Sequence, residues 1–134
     1  MSKSKILLLS LSLILVSCNS GNIKHQAQSL EKAIAEYNTG LRWAMYNNID
    51  TYNKSEDGTH TPVDREAMKN IRITGYEILE KKINDDATEA IVKGEINYYN
   101  NEYGTLKQIP FEQKWWYDTE SKHWFVEGAL PKFK

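Results

Sequence analysis

The hydrophobic period of this chain changes once, near Ile71, and that change narrows the folds open to it. Before it, Leu30, Ile34, Tyr37, Leu41, Ala44 and Met45 recur at spacings of three or four, which predicts one helical stripe running to about Asn48. After it, period two governs. Strands are predicted near Ile71 to Ile83, Thr88 to Tyr99, Thr105 to Tyr117 and Lys122 to Gly128, with turns at Asn84-Asp85-Asp86, Asn100 to Gly104 and Asp118 to Ser121. In the second strand Ala90, Val92, Gly94, Ile96 and Tyr98 share one face. In the third, Phe111, Gln113, Trp115 and Tyr117 oppose Glu112, Lys114, Trp116 and Asp118. Pro110 cannot donate to a ladder and predicts a bulge or an edge there. Gly40 weakens a helix, so close packing is its expected reason.

Between the two regimes, Asn47, Asn48 and Asp50 end the helix, and Asn53 to His60 is an exposed loop. Thr61, Pro62 and Asp64 then form a start signal, predicting a short helix from Pro62 to about Asn70. Its thin apolar content, Val63, Ala67 and Met68, suits a cover over an opening. The fold class is therefore α+β: a long N-terminal helix and a short helix packed on a curved antiparallel four-stranded sheet, as a cone or roll.

The N-terminus is of another kind. Lys3 and Lys5 precede an apolar run, Ile6 to Val16, too short to cross a bilayer, and the run ends at Leu15-Val16-Ser17-Cys18. These residues resemble the processing site of a bacterial lipoprotein precursor. The resemblance implies that residues 1–17 are a signal peptide, that Cys18 is lipidated, and that the protein is held to a membrane without spanning it. One acyl chain binds reversibly at about 0.8 kcal/mol per buried methylene, whereas two or three hold firmly. Asn19, not aspartate, follows the cysteine, which in a Gram-negative host implies the periplasmic face of the outer membrane. An ordinary secretory cut beside an incidental cysteine, or a buried structural thiol, is the plainer alternative.

The leader holds Lys3 and Lys5, so 15 of the 17 basic residues remain against 18 acidic ones, a formal −3. Nucleic acid is an unsuited partner. Cys18 is the only cysteine, so the fold stands without a disulfide. Residues 18–29 are polar and aperiodic and are expected to form a lipid-anchored tether, leaving 30–134 as one domain.

The order of elements and the ending Trp115-Trp116-Tyr117-Asp118, Trp124-Phe125-Val126 and Leu130-Pro131-Lys132-Phe133 resemble small secreted members of the nuclear transport factor two-like, or cystatin-like, superfamily. Enzymes of that superfamily place an aspartate or histidine inside the cone beside a tyrosine or second acid. Here Asp85, Asp86 and Asp118 fall in predicted turns, and Glu95, Glu112 and Glu127 on the polar strand faces. No acid is placed as a general base requires, so no catalytic residue is assigned. Tyr37, Tyr76 and Tyr98 are candidates to point inward.

His25, His60 and His123 lack metal-ligand spacing, and Asp50, Glu56, Asp57 and Asp64 lack the alternation of a calcium loop. No metal or cofactor is expected. The remaining constellation is aromatic. Trp115 and Trp116 point to opposite faces, as do Trp124 and Phe125, which nominates Trp116 and Phe125 as outward rings able to stack on a glycan or an envelope protein. Cross-strand packing is the plainer explanation of the same rings. The reading taken is a non-enzymatic cell-envelope lipoprotein that binds a protein partner or small ligand; the alternative is a small pocket enzyme of the isomerase or dehydratase type.

Overall fold

Of the predicted helical stripe, Leu30, Ile34, Tyr37 and Leu41 are buried, joined by Ala33, whereas Ala44 and Met45 are exposed because the helix ends before them. The structure is a computed structural model that describes residues 19–134, so the expected leader, residues 1–17, and Cys18 lie outside the described residues. Helix α1 spans Asn19–Arg42 and α2 spans Tyr46–Tyr52. Between them Ala44 takes the left-handed conformation at φ 55. The Met45 amide bonds the Gly40 carbonyl at 2.8 Å and the Ala44 amide bonds the Leu41 carbonyl at 3.4 Å, the two bonds of a Schellman stop. The helix predicted to reach Asn48 is thus two helices. In the sequence the apolar spacing continues past the corner, and alanine occupies the place where glycine would have signalled the stop. Gly40 makes the fold-back possible: a Cβ there would stand 2.8 Å from Ile49 Cδ1.

At its other end α1 begins at Asn19, inside the segment expected to be a tether. The Gln26 amide donates to the carbonyls of Asp86 at 3.2 Å and Ala87 at 2.9 Å. The Trp124 indole donates to the Gln26 carbonyl at 2.9 Å and to Ser29 Oγ at 3.1 Å. These partners are far away in sequence, which is why local pattern reads the segment as unstructured.

Strands β1 (Ile71–Ile83), β2 (Glu89–Asn100), β3 (Leu106–Asp118) and β4 (His123–Val126) form one antiparallel sheet in the order β1-β2-β3-β4. The α+β class and the strand phases stand as expected. Ala90, Val92, Ile96 and Tyr98 of β2 and Phe111, Gln113 and Trp115 of β3 are buried on one face. Pro110 keeps register opposite Glu95, and β4 pairs only from Trp115 onward, so proline sits on an open edge without a bulge. The bulges lie in β1, between Ile73 and Gly75 and between Ile78 and Glu80, where extra residues bend the strand. Gly94 serves that bend. A Cβ there would lie 1.9 Å from the Glu77 carbonyl oxygen and 2.7 Å from the Phe111 ring.

The helix predicted from Pro62 to Asn70 is instead a run of turns. Its cap is Asp64, which accepts the Ala67 amide at 3.1 Å, while the Thr61 amide is drawn away to the Asn53 carbonyl at 3.2 Å. Tertiary anchors take the place of helical ones: the Val63 amide donates to Asp50 Oδ1 at 2.7 Å, and Val63 and Met68 are buried in the core.

Candidate functional site

The sheet and α1 enclose an interior that side chains fill. Tyr37, Tyr52 and Trp115 meet edge to face, with ring centroids 5.5 to 6.1 Å apart. Two amides satisfy the polar atoms of this cluster. Tyr37 donates to Asn53 Oδ1 at 3.1 Å, and Gln113 Oε1 accepts from Tyr76 at 2.9 Å and from the Trp115 indole at 3.2 Å. Tyr76 also lies 4.5 Å from the Phe111 ring. Burial pushes the hydroxyls of Tyr37 and Tyr76 well above the ordinary tyrosine range. Both stay protonated and act as donors.

The carboxylates named from the sequence stand elsewhere. Asp85, Asp86 and Glu112 are exposed, Asp118 accepts from Ser121 at 2.9 Å in the β3–β4 turn, and Asp50 pairs with Arg65 at 2.7 Å. Glu36, outside the interior, accepts from the Tyr52 hydroxyl, and burial and that carboxylate both raise the Tyr52 pKa. His25 and His60 are exposed, while His123 stacks on Tyr52 at 5.3 Å. Asp50, Glu56, Asp57 and Asp64 do not converge: each binds a local amide, Arg65 or Lys114.

Trp116 and Phe125 do face outward, paired across β3 and β4 with centroids 5.1 Å apart. Each is only half-exposed. The Trp116 indole donates to the Lys54 carbonyl at 2.7 Å, and the Lys54 ammonium stands 4.9 Å over the Phe125 ring. The pair therefore fastens the Asn53–His60 loop to the sheet and is left only partly exposed. Beside it, Lys114 lies among Glu56, Glu127 and Glu89 at 3.4 to 3.9 Å.

Among the clefts of the described residues, the most spacious lies beside the turns that lead into β1. A cleft of about 480 Å³ runs between the Pro62–Met68 turns and the C-terminal segment, lined by Pro62, Val63, Met68, Leu130 and Phe133 and rimmed by Asp64, Lys132 and Lys134. Phe133 is set by Tyr98, 4.9 Å away, whose hydroxyl also contacts the Lys134 main chain at 3.1 to 3.2 Å. Lys107 donates to the same Lys134 oxygen at 2.7 Å. The wall is thus an extended segment fixed at its last residues. The sequence marked both walls, one as a cover and one as an aromatic ending, but not that they face each other.

No protein-family model matches the chain, and no curated protein matches it. Among solved structures it is similar to one described as the structure of an M.tuberculosis LEH-like epoxide hydrolase, at 8% identity and a TM-score of 0.45, over 72% of this chain and 75% of that one. A likeness at that level assigns no activity.

Proposed function

We propose that the protein is a lipid-anchored, non-enzymatic binding protein of the cell envelope, held through Cys18 and binding an apolar group of a small ligand or partner in the cleft between the Pro62–Met68 turns and Leu130–Phe133. One observation carries the binding part: the 480 Å³ cleft is open and apolar, while the interior is packed with rings and hydrogen-bonded amides. Concave apolar surface with a few polar groups at its rim is the usual form of a ligand site. The anchoring part rests on Leu15-Val16-Ser17-Cys18, and Asn19 supports the periplasmic face of an outer membrane.

The two parts are tested separately. Cells expressing the Cys18→Ser chain should lose labelled palmitate and release the protein from the membrane fraction; retention of both labels and location would end the anchoring reading. For the cleft, anilinonaphthalene sulfonate should fluoresce on binding the full Cys18→Ser chain. Ala67→Trp, which fills the cleft from its rim, should abolish the signal. An undiminished signal in that variant would place binding elsewhere.

A further inference from the structure

All three arginines of the chain, Arg42, Arg65 and Arg72, stand at the end of the roll where α1 terminates and β1 begins. Arg65 is neutralised by Asp50 at 2.7 Å. The other two have no carboxylate partner among the described residues. Arg42 donates to the Thr74 carbonyl at 2.6 Å, and Arg72 donates to the carbonyls of Ile71 at 3.0 Å and Lys69 at 3.4 Å. Arg72 and Thr74 alternate on the exposed side of β1, so the Arg42 side chain reaches the strand two residues from Arg72. Main-chain acceptors fix a guanidinium in place and leave its charge uncompensated.

The Schellman stop at Ala44 leaves two large apolar side chains exposed on the turn that follows Arg42. Trp43 is 69% exposed and Met45 43%, and the Arg42 guanidinium lies 5.9 Å from the Trp43 ring. Fixed arginines and an exposed tryptophan are the residue types that carry binding energy at protein interfaces, because little side-chain freedom is left to lose. Arginine's planar fork also matches a carboxylate. The formal charge of the whole chain is −1, so this corner is a local exception that general basicity does not explain.

We propose that the α1–α2 corner is an interaction surface for an acidic segment of a partner protein, with carboxylates meeting Arg42 and Arg72 and an apolar side chain lying on Trp43. It extends the binding reading above but stands on residues outside the cleft. Its place also fits a protein partner better than the anchoring membrane: the 24 residues of α1, at about 1.5 Å each, carry the corner roughly 36 Å from the helix's first residue.

The probe is a fluorescein-labelled copolymer of glutamate and tyrosine, titrated by anisotropy against the full Cys18→Ser chain. Binding is expected, with at least a tenfold loss for Arg42→Gln/Arg72→Gln and for Trp43→Ala. Lys93→Gln, on the exposed side of β2, is expected to keep wild-type affinity. Circular dichroism checks that each variant is folded. No binding by the parent chain, equal affinity in the corner variants, or an equal loss in Lys93→Gln would overturn the proposal. So would co-sedimentation with phosphatidylglycerol vesicles that the corner variants abolish while copolymer binding persists, since the surface would then be one for lipid. Because the protein is unlipidated throughout, failure here leaves the anchoring result untouched.

Discussion

Tyr37 of α1 donates to Oδ1 of Asn53, the residue that follows α2, and both side chains are buried beneath Trp115. The bond joins the helix layer to the loop that pairs with Val126 of β4. Asn53 Nδ2 has no hydrogen-bond partner, so the Tyr37 hydroxyl is the sole polar contact of this side chain among the described residues.

Tyr37→Phe should therefore cost about 1 to 3 kcal/mol, since it strands a buried acceptor and not merely a surface bond. Urea melts of the Cys18→Ser chain measure it. An unchanged midpoint would mean that water or another donor replaces the tyrosine.

Two alanine and glycine exchanges should act in opposite senses. Ala44→Gly relieves a side chain held at φ 55 and is expected to stabilise by about 1 kcal/mol. Gly94→Ala drives a methyl group into the Glu77 carbonyl and the Phe111 ring, and should cost about 3 kcal/mol or more. Thermal melts that rank the two the other way would contradict both the corner and the strand bend.

The face assignment of β2 separates Ile96 from Lys93. Ile96 is fully buried and Lys93 is exposed, so Ile96→Ala should lose roughly 2 to 4 kcal/mol and Lys93→Ala under about 0.5 kcal/mol. Equal losses in urea would refute the assignment.

Alkaline pH should weaken the fold through its buried tyrosines. Burial raises the Tyr37 and Tyr76 hydroxyls above the free value of 10.0, so the folded state holds protons that the unfolded state releases. Their contribution is complete below pH 10.0 and is lost as pH climbs beyond it toward the raised folded values. Stability measured at pH 8 and again near 11 should fall, and phenolate absorbance from the two rings should arrive with unfolding. A flat profile would show that neither ring is shielded.

The outer ring pair is expected to be structural in part. Trp116→Phe keeps the aromatic contact with Phe125 but removes the indole bond to Lys54, and should cost about 1 kcal/mol while speeding proteolysis within Asn53–His60. Unchanged cleavage would free Trp116 from that duty.

Much of this was legible in sequence because it depends on period alone: the strands from Ile71 onward, their turns and their buried faces all follow from alternation. The failures share a cause. The α1–α2 corner is stopped by backbone bonds around Ala44, a residue with no turn signature, where the apolar spacing of the sequence continues. The segment from Asn19 is helical although aperiodic, and its later turns, Gln26 to Ser29, are held by Ala87 and Trp124 from across the chain. Pro62 to Asn70 carries a helix start, but Asp50 and the core claim Val63 and Met68 first. The cleft was hidden for the same reason, since its two walls lie some sixty residues apart.

The clamp on Gln26 and Ser29 has a mechanical meaning. A chain led into its fold by a floppy segment lets the body tumble independently of whatever holds the front. Here the first helix is bolted to β4 by an indole and to the β1–β2 turn by an amide. Torque or tension carried along α1 thus passes into the sheet at Gln26 and Ser29, and the α1–α2 corner, itself tied to β1 through Arg42 and Thr74, turns with the body as one piece.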